Sequence, residues 1–250
     1  MQYLKLLLVF FAIAVTTLHC TKYKKEGYVP KPGIVLTFDD NRIDNWSKYL
    51  NLLDSLGLKA TFYVSGYQKL NATQKQKLKK IQARGHEIAY HTRTHPNMST
   101  YMQKYKKTLQ QMIDEEIVKG LTEMQNDGFN PTSFAFPFGA HNGLVDNALK
   151  PYFKSIRALN GSKDYAKSLT ATDKNYILYG FGLDKSSNHT DDVLQKLLEY
   201  AKSNNNCAVL VAHDINTPVT LSVTKARLIA IGTLVKQLGL ISYTAAQISN

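Results

Sequence analysis

Short apolar runs alternate with longer amphipathic stretches from Gly33 almost to the C-terminus, and this alternation most narrows what the chain can fold into. Strands are predicted at Gly33–Phe38, Ala60–Val64, Glu87–Tyr90, Ser133–Phe136, Ser155–Ala158, Tyr176–Phe181, Ala208–Ala212 and Leu240–Tyr243. Helices are predicted at Asn45–Leu56, Thr73–Ala83, Tyr101–Gln125 (in two pieces around Gly120), Asp191–Ser203 and Ser222–Leu238. Repeated strand–helix units build a parallel sheet covered by helices. Right-handed crossovers then close it, wholly or nearly, into an α/β barrel. An open doubly wound sheet is the alternative, although no glycine-rich phosphate loop follows any strand.

The polar residues fall at particular places in this pattern. Asp39 and Asp40 end the first apolar run, His91 directly follows Glu87–Tyr90 with His95 four residues on, and His213 and Asp214 directly follow Ala208–Ala212. In a parallel barrel these strand ends share one face, where function collects. The stretch His91-Thr92-Arg93-Thr94-His95 is spaced so that two imidazoles can meet one cation. Thr92 stands where a zincin would carry its Glu base, and Pro96 ends the segment, so this is a loop pair and not a helical one. Alone, the pair reads more readily as two polar loop histidines. With a carboxylate from another strand end it makes a three-ligand site with positions left for water and substrate. Adjacent carboxylates point in different directions, so Asp40 can bind metal while Asp39 acts as a base on water. The rival role for the Asp pair is capping of the following helix, for which Asn41 and Asp44 are also at hand.

The N-terminus reads as an export signal. Lys5 precedes the apolar run Leu6–Val15, too short to span a bilayer comfortably, and Cys20 stands where a lipidated N-terminal cysteine would stand. His19 replaces the usual small residue, so a periplasmic or cell-envelope lipoprotein and a freely secreted protein both stay open. The expected division is residues 1–20 as signal, 21–32 as tether and 33–250 as one catalytic domain. The second cysteine, Cys207, precedes an apolar run and suits a buried structural thiol. A formal charge of +12 comes largely from lysines among polar residues at helical spacing, which read as solvated helix faces. No aromatic-interleaved basic stripe points to nucleic acid, so none is expected as a partner. Membrane contact is expected only through an anchor at Cys20.

Four segments carry a resemblance. Leu36-Thr37-Phe38-Asp39-Asp40, Arg84-Gly85-His86-Glu87-Ile88 running into His91–Pro96, Phe136-Pro137-Phe138-Gly139 and Leu210-Val211-Ala212-His213 resemble, in order, the motifs of the polysaccharide deacetylases, carbohydrate esterase family 4. The resemblance implies a distorted (β/α) barrel of about seven parallel strands, a divalent metal (commonly zinc) and removal of acetyl groups from a polysaccharide or peptidoglycan glycan. Carried over by position, it implies Asp39 as general base and Asp40, His91 and His95 as metal ligands. It implies the Phe138 N–H as an oxyanion donor, Leu210 as a wall for the acetyl methyl and His213 as general acid.

The chain departs from the pattern at two places. Ala135 stands where many members carry an Arg that steadies the base, and Arg157, closing another strand, is the candidate replacement; a plain salt bridge is its rival role. The usual Asp-and-Trp motif is not clear. Asp184 lies in the right part of the chain to tune His213, with Phe181 in place of the Trp, while Trp46 reads as core. Two rival functions remain: an O-acetyl esterase with the same site, and a non-catalytic glycan-binding module on the same barrel.

Overall fold

The computed structural model describes residues 31–161, 165–170 and 176–249. The expected signal and tether, with Cys20, therefore lie almost wholly outside the described residues. Strands β1 (Gly33–Asp40), β2 (Ala60–Val64), β3 (Glu87–Tyr90), β4 (Ser133–Ala135) and β5 (Ser155–Leu159) are followed by a two-residue β6 (Leu169–Thr170), then β7 (Ile177–Gly182) and β8 (Cys207–Ala212). The order β1-β2-β3-β4-β5-β7-β8, with β8 pairing back to β1, closes a barrel of seven parallel strands. The predicted barrel is borne out, and the open sheet is excluded.

The barrel is distorted for a visible reason. β1 is flanked on one edge by β8 along Gly33–Phe38. Its other edge is shared: the late strand β11 (Ile241–Tyr243) pairs with Gly33–Val35, and β2 pairs with Leu36–Asp40. Two seams are thin, because β3 meets β4 only at Tyr90↔Phe134 and β7 meets β8 only over Phe181 and Gly182. A small side ladder joins β9 (Asp214–Ile215) to β10 (Ser222–Val223).

Strand alternation sorts the side chains. Ile34, Leu36 and Phe38 of β1 and Ala208, Leu210 and Ala212 of β8 pack outward, in one core with helix residues such as Leu194, Leu197, Leu228 and Ile231. Val35, Tyr63, Ala89, Ala135, Leu178, Cys207 and Val209 form a second cluster inside the barrel. Cys207 is buried there as a free thiol, its pKa pushed up to about 12 by burial, as expected for a structural cysteine.

Several boundaries differ from the sequence reading. The first helix begins at Ile43, with Arg42 before it and no side-chain cap; neither Asn41 nor Asp44 caps it, and Asp44 instead pairs with Lys77 at 2.5 Å. The helix predicted at Tyr101–Gln125 breaks at Lys106, not Gly120, because Lys106 takes a left-handed turn (φ 51°) after Tyr101–Tyr105. The chain then runs helically from Leu109 to Asn126 through a π-helical turn at Asp114–Val118. Gly120 sits inside this helix for a steric reason: a Cβ there would lie 1.8 Å from the Tyr90 hydroxyl. The predicted helix Ser222–Leu238 starts only at Lys225, capped by Thr224, because Ser222 and Val223 are taken by the side ladder. The helix Gly143–Leu149, capped by Asn142, has no counterpart in the sequence reading.

Candidate functional site

Asp40, His91 and His95 converge at the C-terminal mouth of the barrel, their ligating atoms within 4.8 Å of one another. His95 Nε2 lies 3.2 Å from Asp40 Oδ1, and His91 Nε2 lies 3.9 Å from the same oxygen. His91 Nδ1 is 2.8 Å from the Ala135 carbonyl oxygen. A carbonyl only accepts, so Nδ1 carries the proton and the Nε2 lone pair faces Asp40. Burial pushes the buried His91 down to about 4, which keeps it neutral and fit to ligate. Burial alone would raise Asp40, but the His95 hydrogen bond and the charges of His213, His91 and His95 outweigh it and hold Asp40 at about 2. One carboxylate and two imidazoles, part-open to solvent, suit a divalent cation.

Backbone strain places two of the ligands. Asp40 (φ 81°) and His95 (φ 63°) both occupy the left-handed region, as does Thr92 (φ 64°) between the histidines. Thr92 Oγ1 accepts the His95 N–H at 3.0 Å. The loop is further held by Glu116, a buried residue of the π-helical turn. Its carboxylate accepts the Thr94 N–H at 2.9 Å and the Thr94 hydroxyl at 2.6 Å, while its carbonyl accepts from the Arg93 N–H and the Tyr90 hydroxyl. Sequence reasoning missed Glu116. A π-helical turn leaves no simple periodic signal, and at normal helical spacing this Glu reads as a surface residue.

Asp39, on the inward face of β1, forms an ion pair with Arg157, on the inward face of β5. Both are buried, and Arg157 is wholly shielded from solvent. Ala135 and Arg157 are register partners on adjacent strands, so the guanidinium arises one strand away from the position that Ala135 leaves bare. Gly180 makes room for it, since a Cβ there would lie 2.1 Å from Val211 Cγ2 and 3.3 Å from Arg157 Cδ. The Arg157 guanidinium also lies 5.3 Å from the centroid of the Tyr63 ring.

His213 follows β8, the strand that pairs with β1 and so stands beside Asp39 and Asp40. Its Nδ1 hydrogen-bonds to Asp184 Oδ2 at 2.6 Å, and its backbone N–H donates to Asp184 Oδ1 at 3.3 Å. Burial alone would lower the His213 pKa, but Asp184, Asp39 and Asp40 outweigh it and the net direction is up. Trp46 is buried core, as read from sequence, yet its indole N–H donates to the His213 carbonyl at 2.8 Å. Asn45 secures the next residue, donating to Asp214 Oδ1 at 2.5 Å.

Not every predicted residue faces the site. Leu210 packs outward against the helices, so it does not wall an acetyl pocket; strand alternation turns Val211 inward instead, two residues before His213 on the same side. The sequence signal for Val211 was that spacing from His213. Phe181 is likewise on the outer side, stacked on His189 at 4.1 Å, and does not replace a pocket Trp. Phe138 is at the mouth, 66% exposed in a left-handed turn (φ 60°), with its ring 4.9 Å from that of His95. His141 pairs with Asp146 at 3.0 Å, away from the triad.

Fold and site together define a parallel (β/α) barrel whose mouth joins a cation-ready triad to an Asp–Arg pair and a His–Asp pair. Family comparison gives the rest: residues 26–152 match the polysaccharide deacetylase family, and the chain belongs to it. A probable peptidoglycan-N-acetylglucosamine deacetylase of Arthroderma benhamiae is 27% identical over 144 residues, covering 54% of this chain and 30% of its own length. A chitin deacetylase of Colletotrichum lindemuthianum is 26% identical over 112 residues, 43% of each chain. The chain thus spans less than half the length of these relatives. Among solved structures, a family 4 carbohydrate esterase from Streptomyces lividans in complex with acetate superposes with a TM-score of 0.56 at 21% identity, over 84% of this chain and 91% of that one. A family 4 pseudoenzyme from Bacillus anthracis superposes equally well, with a TM-score of 0.58 at 16% identity, over 89% of this chain and 67% of that one. These structural likenesses concern the fold.

Proposed function

We propose that the protein is an exported, zinc-dependent deacetylase that hydrolyses the acetamide of an N-acetylated polysaccharide or peptidoglycan glycan. The observation that carries this reading is the pair of supported titratable groups beside the triad, Asp39 with Arg157 and His213 with Asp184. A barrel that only bound glycan would need neither.

Asp40, His91 and His95 would hold the ion. When bound, the ion would supply Lewis acidity for the acetyl carbonyl and for water near neutral pH. Asp39 takes the proton from the attacking water, and the ion pair with Arg157 keeps that carboxylate in place. The Phe138 N–H faces the developing oxyanion, Val211 borders the methyl group, and His213, charged through Asp184, donates its proton to the leaving nitrogen. For O-acetyl groups the same steps would expel an alcohol.

The test is acetate release from a panel of N-acetylated and O-acetylated glycans, with and without chelator. Zinc-restored release from N-acetylated glycans is expected, and Asp39→Asn and His213→Ala should abolish it while metal still binds. Full activity in either variant, or glycan binding with no acetate release under any metal, overturns the reading in favour of a binding module. Export and an anchor at Cys20 are checked separately by fractionating cells that express the full chain and its Cys20→Ser variant.

A further inference from the structure

The foot of the barrel, opposite the mouth, is plugged and basic. The short helix Ala245–Ile248 closes it, with the Ala245 N–H donating to the Thr61 hydroxyl at 2.8 Å and the Ala246 N–H to the Glu87 carboxylate at 2.9 Å. Lysines gather here around β11. The Lys31 carbonyl accepts the Tyr243 hydroxyl at 3.3 Å, and the Lys59 N–H donates to the Ser242 hydroxyl at 2.9 Å. Lys236 stands in the last turn of the helix Lys225–Leu238, and Gly239 joins that helix to β11. The Lys202 ammonium, from the end of the helix Asp191–Ser203, would lie 3.8 Å from a Cβ placed on Gly239. Lys31, Lys202 and Lys236 are all exposed, and so is Ile241 of β11.

Helix ends account for part of this charge. Lys202 and Lys236 stand in last turns, where a cation offsets the helix dipole, and Lys59 Nζ donates to the Arg84 carbonyl at 2.7 Å. Lys31 lies on no helix. Carboxylates at the foot are turned to other work: Asp54 pairs with Arg84, and Glu87 points into the barrel, bonded to Thr61 and the plug. Glu199, one turn before Lys202, is the exposed carboxylate in the last two turns of its helix. The chain also enters the fold at this end, since the Pro32 carbonyl accepts the Ile241 N–H at 3.1 Å. Just upstream in sequence come Lys22, Lys24 and Lys25 with one acid, Glu26. From Cys20 to Lys31 the chain can span at most about 40 Å. Both membrane-seeking features of the sequence, the apolar run Leu6–Val15 and Cys20, are therefore tied to the basic end and not to the mouth.

We infer that the foot around β11 is a membrane-facing surface that docks on anionic phospholipid headgroups. The folded domain itself touches the bilayer, beyond any anchor at Cys20. Lysines near a negatively charged leaflet each add attraction, which fades within a Debye length. Asp40, His91 and His95, at the other end of the barrel, then open away from the lipid. The inference does not depend on the deacetylase reading.

The test measures partitioning of the full chain onto vesicles of phosphatidylcholine alone and of phosphatidylcholine with phosphatidylglycerol in equal parts. The apolar run Leu6–Val15 binds both, so the quantity read is the anionic-to-neutral ratio of partition coefficients. The wild type should favour the anionic vesicles, and molar salt should bring the ratio close to unity. The triple variant Lys31→Gln, Lys202→Gln, Lys236→Gln should lower the ratio about 10- to 100-fold, at up to about fivefold for each lysine. The same three positions changed to Arg should keep it. The matched variant Lys104→Gln, Lys106→Gln, Lys225→Gln removes equal charge from the mouth side and should leave the ratio within about twofold of wild type, as expected for charges held more than a Debye length from the lipid. A ratio unchanged by the foot variant overturns the inference. So does an equal fall in both Gln variants, which would make the attraction a matter of net charge and not of this surface.

Discussion

Arg157 crosses the inside of the barrel from β5 to pair with Asp39 at the end of β1, and its register partner on β4 is the small Ala135. The charge at the base is therefore supplied one strand away from where the family pattern puts it. Arg157→Met should cut turnover about 100-fold or more, within the usual range for a disabled acid–base group. It should also destabilise the fold by roughly 3–5 kcal/mol, because a buried carboxylate loses its partner. The double variant Ala135→Arg/Arg157→Ala should recover much of both, since the vacated volume adjoins position 135. Turnover and thermal melting, measured together, check this. Wild-type turnover in Arg157→Met would show that the pair only holds the barrel together.

Asp184 sets the charge on His213. With its Nδ1 bonded to Asp184, His213 has a raised pKa and keeps its proton to higher pH than an ordinary imidazole. Turnover should then fall as pH rises through that pKa, because the neutral ring cannot donate. Asp184→Asn removes the negative charge, so the alkaline limb of kcat should move toward acid by about one pH unit. A limb that does not move would assign it to another group.

Much of this was legible in the sequence, and the limits are physical. Strand ends could be read because apolar runs stop where Asp39, His91 and His213 begin. Arg157 could be named because one expected charge was missing and one strand ended in a spare cation. Which side of a strand a residue faces is more fragile: Leu210 packs in the outer core, and it is Val211, one residue on, that turns inward. Glu116 was hidden because its role depends on a π-helical turn and on a loop far from it in sequence. Lys106 hid the helix break, since nothing in its side chain announces a left-handed conformation.

Glu116 should act on metal affinity more than on chemistry. Its carboxylate holds Thr94, next to the ligand His95, through two hydrogen bonds. Such outer partners commonly account for 10- to 100-fold in affinity. Glu116→Gln should weaken zinc binding about tenfold by calorimetry, with kcat at saturating metal much less affected. Unaltered zinc affinity would leave Glu116 a purely structural residue.

The last prediction concerns stability, away from the mouth. His86 is buried before β3, where its Nδ1 accepts the Ala60 N–H at 3.1 Å and its Nε2 lies 3.4 Å from Asp54. Burial pushes its pKa down from 6.5 to about 4, against the pull of Asp54. A protonated ring could not accept that N–H, so the folded protein needs the neutral form. The unfolded chain takes up the proton near 6.5 while the folded chain waits until about 4. The contribution is thus complete above 6.5 and is lost as pH falls toward 4, to the extent of about 3 kcal/mol. In His86→Asn the side-chain oxygen can still accept from Ala60 but does not titrate. Urea unfolding at pH 7.5 and 4.5, with chelator present throughout, should show a smaller acid-induced loss for this variant than for the wild type. Equal losses would mean that other groups carry the acid sensitivity.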